Sequence, residues 1–273
     1  MAILRRLWLA LAAVVLLYPI AIMISGSFQS MSMMMFMPPK LLPFPATMKN
    51  YADLFMGLDV LPWIKNTLIV VFGNIVGAVV VASFAGYGFS VYRFKGRKAA
   101  MMFLLALVVI PNDVIIIPTF MILRVVRLLN NPMGVILPRI ISVMGLLLFK
   151  AYIDQIAVEL IDAGRIDGAG EWRIMLQLIL PQCTPIMGFM AIVHGVMGFS
   201  DFFMQLLVLQ RASARTFIVG MIMHVRALDT NMHINEISVA MAVGTILFVP
   251  MLILFLSTNK LFMKGLSMSG VRG

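Results

Sequence analysis

Long apolar runs alternate with short polar segments along this chain of 273 residues. The six longest apolar runs are each long enough, at about 1.5 Å per residue, to approach or cross a hydrocarbon core of about 30 Å as a helix. The predicted spans cover approximately residues 7–28, 64–92, 99–123, 133–151, 182–209 and 237–263. This pattern predicts an all-α integral membrane protein with six transmembrane helices, forming a single domain over residues 1–273.

One polar interruption, residues 152–181, differs from the others because six charged residues fall within fifteen positions of it. A charge in hydrocarbon costs about 2.5–3.5 kcal/mol on the insertion scale, so this segment must lie outside the membrane. The residues before Gly168 favour a short helix, and Gly168 stands where a helix end favours a positive φ. A second helix is predicted to begin near Glu171, with an acid in its first turn. The loop is therefore predicted to be a compact helical hairpin that docks on a partner.

The composition agrees with a membrane protein. Hydrophobic residues make up 62% and charged residues 12%, whereas soluble domains carry roughly 25% charged residues. The net charge of +10 reflects the usual basic bias of cytoplasmic loops and does not require nucleic acid. Arg5, Arg6 and the basic cluster in 93–98 place both termini in the cytoplasm and make 210–236 an external connection. A cleaved signal peptide is the alternative interpretation of the first apolar run.

Two chemical features are excluded by the sequence. The chain has one cysteine, Cys183, so it cannot form an intramolecular disulfide bond. It also lacks the Gly-x4-Gly-Lys-Ser/Thr loop that holds nucleotide phosphates, so any ATP must be bound by another chain.

The hairpin carries a spaced pattern, formed by Asp162-Ala163-Gly164, Ile166-Asp167-Gly168-Ala169 and Ile179-Leu180-Pro181. This pattern resembles the cytoplasmic signature loop of the membrane subunits of bacterial ABC importers. Asp162 stands where the family has Glu, Gly164 stands where it has Ala, and Ala157 stands where a Pro is expected. Gly164 is expected to weaken its helix by up to about 1 kcal/mol relative to Ala.

Further short matches resemble the carbohydrate-importer branch of that family, the maltose-type permeases. These are Phe94 and Gly96, Ser200-Asp201-Phe202, Lys264-Gly265-Leu266 and Gly270-Val271-Arg272-Gly273. Gly198, Met204 and Gln205 depart from the longer motif around Asp201. Together the resemblance covers the chain from about residue 50 onward.

The resemblance implies a type I ABC importer permease fold in a bacterial cytoplasmic (inner) membrane, crossed several times. It implies a non-catalytic subunit that forms half of a path for a carbohydrate or related polyol. The implied partners are a second permease subunit as a heterodimer, two ATPase subunits that bind ATP and Mg, and an extracytoplasmic solute-binding protein. No cofactor is expected on this chain. The residues expected to couple to the ATPases are Glu159, Asp162, Ala163, Gly164, Asp167, Gly168 and Ala169.

Polar residues within the predicted spans are candidates for the substrate pathway, since ionisable groups in spans are often functional. The candidates are Asn112 and Asp113 beside Pro111, Asp201 and Gln205 one helical turn apart, and Asn74. Carboxylates and amides suit hydroxyl-rich cargo. The alternatives are an interfacial acid paired with Arg124 or Arg127 for Asp113, and hydrogen bonds between helices for the others. Asn74 and His194 are better interpreted as packing polar residues.

The methionine cluster of Met31, Met33, Met34, Met35 and Met37 offers soft ligands for Cu(I). The chain has 26 methionines, however, so adaptable apolar packing is the simpler interpretation and no metal site is predicted. A stand-alone secondary transporter or channel is the alternative function. It would require coupling charges deep in the spans or paired half-repeats, and neither is evident. A membrane-embedded enzyme would require a cluster of His, Asp or Glu, which the spans lack.

Overall fold

The computed structural model describes residues 2–34, 41–55, 58, 60–156, 158–232 and 236–269. Its helices are α1 (Ala2–Ser27), α2 (Met31–Met34), α3 (Lys49–Phe55), α4 (Leu61–Val91), α5 (Arg97–Val108), α6 (Asn112–Val125), α7 (Met133–Ile140), α8 (Val143–Ile153), α9 (Val158–Ile166), α10 (Glu171–Arg173), α11 (Thr184–Ser200), α12 (Phe202–Val208), α13 (Phe217–Met232) and α14 (Glu236–Ser269). A π-helical segment, Ile174–Ile179, continues α10, and a 3₁₀ turn covers Ala212–Ala214. The predicted all-α class is confirmed for these residues.

Two helices in the described ranges are long and apolar enough to cross a membrane unaided, namely Leu4–Ser27 of α1 and the whole of α4. α4 has 31 residues, which corresponds to about 46 Å of helix. The number of such crossings rises to as many as five if each bent helix pair counts as one span. The predicted spans 7–28 and 64–92 therefore correspond to single helices, whereas the count of six stays a prediction.

Two predicted spans are bent pairs of helices and not continuous rods. Residues 99–123 divide into α5 and α6 at Pro111, whose missing N–H favours the start of a new helix over the continuation of an old one. Residues 133–151 divide into α7 and α8 with a bend of 43°. Ser142 begins α8, since its hydroxyl accepts a hydrogen bond from Gly145 N at 3.0 Å.

The predicted span 182–209 is also divided, because α11 ends at Ser200 and α12 begins at Phe202. Asp201 caps α12, and its Oδ1 accepts a hydrogen bond from Met204 N at 3.4 Å. The helical face that was expected to continue from Asp201 to Gln205 is therefore interrupted at its first residue. The predicted span 237–263 lies within α14.

The predicted external segment, residues 210–236, contains the 16-residue helix α13. The apolar residues at the start of this helix pack inside the first unit, since Phe217, Val219 and Met221 are buried. The external placement of this segment stays a prediction.

The chain forms two compact units, Met1–Leu61 with Phe217–Leu252, and Pro62–Thr216 with Ile253–Gly273. In the first unit, Asn50 ties α3 to the end of α1, because its Nδ2 donates to the carbonyl oxygens of Ser27 at 2.8 Å and Gln29 at 2.9 Å. The prediction of a single permease domain stays untested.

The second unit packs its helices around α4. One cluster of buried side chains joins α4 to α8, α9, the π-helical segment and α11, and includes Tyr87, Phe149 and Ile174. Another joins α4 to α6, α7 and α12, and includes Val70 and Val135. Helices in a membrane associate mainly through van der Waals packing, and both clusters contain residues of α4, so α4 is the helix around which this unit is built.

Some of the residues used in the sequence analysis lie outside the described residues. They are Met35, Met37, Ala157, Gly270, Val271, Arg272 and Gly273.

Candidate functional site

The predicted hairpin is present, and its turn is fixed by backbone hydrogen bonds. Gly168 has φ +79°, in the left-handed region that favours glycine. Its N–H donates to Arg165 O at 3.0 Å, and Ala169 N donates to Gly164 O at 2.9 Å. This pair of bonds is a Schellman motif, so α9 ends here and the chain reverses toward α10.

Gly164, one of the three departures from the family pattern, lies where α9 approaches the segment after the turn. A methyl group at Gly164 would come within 2.8 Å of Leu178 Cδ1 and 3.3 Å of Ile174 Cγ1. The glycine therefore accommodates a close contact between the two arms of the hairpin. This contact offsets the helix propensity that the glycine loses.

The opposite side of α9 is open. Glu159, Asp162, Ala163, Ile166 and Asp167 are all exposed, and their spacing of three and four residues places them along one side of the helix. Ile166 has 86% of its surface exposed, so it adds an apolar side chain to this acidic face. An acidic helix face with an apolar residue in it is suited to a groove lined by basic and apolar groups.

Glu171 fastens the hairpin to α4. Its Oε2 accepts hydrogen bonds from the hydroxyl groups of Tyr87 and Tyr92, each at 2.9 Å, and its Oε1 accepts one from Arg165 Nε at 2.9 Å. Arg165 also lies 3.4 Å from Asp162 Oδ1. The Arg165 hydrogen bond lowers the pKa of Glu171 despite partial desolvation, and the tyrosine hydroxyls lower it further. The carboxylate is thus ionised and fully engaged at neutral pH.

Two further contacts tie the same end of α4 to its surroundings. The rings of Phe84 and Trp172 meet edge to face with centroids 5.4 Å apart. Ser90 Oγ donates to Asp154 Oδ1 at 2.6 Å, and Lys150 pairs with the other oxygen of Asp154. The hairpin and the end of α8 are therefore held against α4 by several independent bonds.

The other end of α4 is also held. Trp63 Nε1 donates to Ala212 O at 2.9 Å, and Asn66 Nδ2 donates to Ser213 O at 2.8 Å and Arg215 O at 3.0 Å. These contacts lie about 30–36 Å along the helix from Tyr87. α4 thus connects the hairpin to the loop that follows α12, over a distance comparable to the thickness of a membrane core.

Of the pathway candidates, Asp201 forms an ion pair that the sequence analysis missed. Arg139 donates from Nη2 at 2.6 Å and from Nε at 3.0 Å, both to Asp201 Oδ2. Gln205 is buried and satisfied, because its Nε2 donates to Gly198 O at 2.7 Å and its Oε1 accepts from the Thr216 hydroxyl. This geometry favours the packing interpretation of Gln205.

The remaining candidates and His194 lie on three helices, α4, α6 and α11. Asn74 is buried in α4 with Oδ1 unpartnered, and His194 is buried in α11 with Nδ1 unpartnered, among the residues described. Asp113 is exposed in the first turn of α6. Asn112 is the first residue of that helix, and its side chain lies outside the described part. No group of three potential metal ligands occurs among the described residues.

Comparison with known proteins identifies the family. Residues 78–267 match the family described as "Binding-protein-dependent transport system inner membrane component", which is well over half of the chain. The chain belongs to this family. The hairpin and the breaks in the helices after α4 all lie within the matched region.

Relatives of this permease extend over nearly its full length. It is 28% identical over 267 residues to the arabinooligosaccharides transport system permease protein AraQ of Halalkalibacterium halodurans, covering 97% of this chain and 94% of the relative. It is 30% identical over 277 residues to the galactooligosaccharides transport system permease protein GanQ of Bacillus subtilis, covering 98% and 94%. The crystal structure of a bacterial ABC transporter involved in the import of the acidic polysaccharide alginate contains a similar chain, with a TM-score of 0.79, 19% identity and 95% of each chain covered. That likeness shows the fold.

Sequence reasoning missed several residues of this permease that the structure makes prominent. Tyr87 and Tyr92 carry no local signal for their bonds to Glu171, because the partners lie about eighty residues apart along the chain. Arg139 did carry a signal, since it is a charged residue inside a predicted span, opposite an acid in another span.

Proposed function

We propose that this permease subunit imports a carbohydrate or related polyol and forms half of the translocation path. The oligosaccharide transport named in its relatives supports this class of cargo. The observation that carries the coupling role is the hairpin, whose α9 face is exposed while its other side is bonded to α4 through Glu171.

In this proposal, two ATPase subunits seat the exposed face of α9 in a cleft of their own. Glu159 and Asp162 pair with basic groups there, Gly164 and Ala169 hold the fold of the hairpin, and Gly168 permits its turn. ATP and Mg are bound by the ATPases. Closure of the ATPases moves the hairpin as a rigid body, and the bonds of Glu171 carry that motion to α4.

The rest of the proposed assembly follows the family. A second permease subunit completes a heterodimer, and an extracytoplasmic solute-binding protein delivers the cargo. The permease crosses a bacterial cytoplasmic membrane six times, with both termini in the cytoplasm. Lipid covers the apolar outer surface, including the exposed side chains of Leu7–Leu17 in α1. No nucleic acid takes part.

Gly168→Val provides the test. Valine at φ +79° is strongly strained, because a β-branched residue rarely adopts the left-handed region. Gly170→Val is the matched control, since Gly170 has an extended conformation with φ −69° and a methyl group there would meet no atom within 4 Å.

The expected result is that the wild type and Gly170→Val co-purify with an ATPase subunit and support import. Gly168→Val is expected to remain in the membrane but lose import. Import by the purified chain alone, without ATP, would instead establish a stand-alone secondary transporter or channel and refute the proposal.

A further inference from the structure

The ion pair of Arg139 and Asp201 lies beside the uncharged length of α4. Asp201 follows Gly198, where a methyl group would come within 3.0 Å of Asn74 Nδ2 and 3.1 Å of Val71 Cα. Arg139 stands on α7 between Ile136 and Ile140, which pack directly against glycines 73 and 77 of α4. α4 carries no charged residue from position 66 to its end at 91. The pair therefore lies beside a stretch of α4 that can sit within hydrocarbon.

The pairing is one-sided and leaves hydrogen-bonding groups unused. Both bonds from Arg139 go to the same oxygen, Asp201 Oδ2. Arg139 Nη1 has no hydrogen bond among the described residues, and Asp201 Oδ1 accepts only the long bond from Met204 N at 3.4 Å. Arg139 therefore has a spare donor, and Asp201 Oδ1 can accept a further hydrogen bond. The pair itself carries no net charge.

The exposed part of this pair must face a polar space. Arg139 has 23% and Asp201 has 11% of the side chain exposed. An arginine facing hydrocarbon costs about 2.5–3.5 kcal/mol on the insertion scale, so charged groups in spans face a protein interior or a water-filled cavity. This side of α7 is therefore the side that lines the path.

Two orphaned polar atoms occur in the adjoining interior. Asn74 Oδ1 and His194 Nδ1 have no hydrogen-bond partner among the described residues, although the residues are only 2% and 4% exposed. His194 precedes Gly198, the neighbour of Asn74, by one turn of α11. An unsatisfied buried polar atom costs about 1–3 kcal/mol. A hydroxyl group can donate to either atom.

The helices also break at this level, at Asp201 between α11 and α12 and just after Arg139 between α7 and α8. Interrupted helices are where transporters commonly place their substrate sites. We infer that Arg139, Asp201, Asn74 and His194 form a binding site for the hydroxyl groups of a neutral, hydroxyl-rich cargo on the wall of the path. This inference rests on the proposed function and adds to it Arg139 as a direct cargo contact.

Accessibility to a hydrophilic reagent provides the first test. Cys183 is replaced by alanine, and Arg139→Cys is made together with Asp201→Asn so that no unpaired carboxylate remains. The complete importer in lipid nanodiscs is treated with a positively charged, membrane-impermeant methanethiosulfonate. Leu137→Cys is the matched control, because Leu137 lies two residues away on the opposite side of α7 and is exposed.

The cysteine at position 139 is expected to react, because the proposed path brings water to it. The cysteine at position 137 is expected to react at least tenfold more slowly. An unreactive position 139, or equal reactivity at both positions, overturns the inference.

A kinetic test separates a cargo contact from a structural ion pair. Arg139→Lys keeps the charge but loses the spare Nη1 donors, and the double exchange Arg139→Asp with Asp201→Arg keeps a pair in reversed order. Import is measured in proteoliposomes with arabino-, galacto- and malto-oligosaccharides, beside the ATPase activity of the same complexes.

At least a tenfold fall in import is expected for both variants, with ATPase subunits still co-purifying and the fall differing among the three sugars. Wild-type import by both variants overturns the inference and assigns the pair to structure alone. Failure of the wild-type chain to co-purify with an ATPase would contradict the proposed function. This result differs from those that overturn the cargo site, so failure of one proposal can be told from failure of the other.

Discussion

Glu171→Gln is the substitution that most directly tests how the hairpin is attached to α4. It removes the negative charge that receives hydrogen bonds from Tyr87, Tyr92 and Arg165 while keeping the size of the side chain. A hydrogen bond to a charged group contributes about 1.5–3 kcal/mol. Burial of the Tyr87 ring keeps its bond within this range. The bond lies in the lower half of the range because 39% of the Glu171 side chain is exposed.

The bonds to Tyr92 and Arg165 are more exposed and contribute less than about 1 kcal/mol each. Together the loss is about 2 kcal/mol, which shifts the equilibrium between attached and detached hairpin about 30-fold toward the detached form. Hydrogen exchange of peptides covering 158–174 measures this shift. The number of solutes imported per ATP hydrolysed measures its consequence, and it is expected to fall while ATP hydrolysis persists.

Tyr87→Phe isolates the strongest of the three bonds and is expected to produce most of the free-energy change. Tyr152→Phe is the matched control, since Tyr152 packs against the same buried cluster but does not bond to Glu171. Two results would contradict this reasoning. The hairpin amides of the Glu171→Gln variant would exchange at the wild-type rate, and the variant would keep the wild-type ratio of import to ATP hydrolysis; Glu171 would then not attach the hairpin.

Three further outcomes follow from the hairpin. Gly168→Ala is expected to cost about 1–2 kcal/mol of hairpin stability from its positive φ, whereas Gly170→Ala is expected to change it little; hydrogen exchange of 158–174 distinguishes them. Gly164→Ala is expected to leave the thermal unfolding temperature of the complex nearly unchanged. The gain of about 1 kcal/mol in helix propensity offsets the crowding of the flexible end of Leu178. A large loss of stability would show that the site is rigid. The lowered pKa of Glu171 means that its contribution is fully present above the ordinary glutamate pKa of about 4.3 and is lost as the pH falls through the lower folded value. Hairpin exchange, corrected for its intrinsic pH dependence, should therefore be constant from pH 6 to 8, and a transition in that range would contradict the assignment.

The parts of the site that could be predicted from sequence are the parts set by local interactions. Gly168 marks the turn, because a Schellman motif needs a residue that tolerates positive φ. The charged residues of segment 152–181 exclude that segment from the membrane. The breaks at Ser142 and Asp201 could not be read from apolar composition, which is the same for a straight span and a bent one. The sequence did not predict α13, because charged residues follow its short apolar start, and only the packing of the first unit shows that this start is buried.

Long-range bonds were beyond the local pattern for a different reason. Asp201 and Gln205 are one turn apart and suggested a shared polar face, but Asp201 ends one helix and caps the next. Its partner is Arg139, about sixty residues earlier, while Gln205 bonds to Gly198 and Thr216. Which polar group in a span pairs with which depends on how the helices cross, and that is a property of the packed unit.

α4 explains how a motion of the hairpin reaches the candidate cargo site. After Pro62 in its first turn it contains no proline, so its backbone hydrogen bonds continue without a kink over about 46 Å. The end of α4 near Tyr87 is bonded to Glu171, the end near Trp63 is bonded to the carbonyl groups of residues 212–215, and Asn74 lies between them. A continuous helix that is bonded to the hairpin carries the motion of the hairpin to Asn74, which lies against Gly198 of α11. ATP-driven movement of the hairpin is therefore expected to change the geometry of the polar site itself, and the reactivity of a cysteine at position 139 should change when the ATPases are trapped in their closed state.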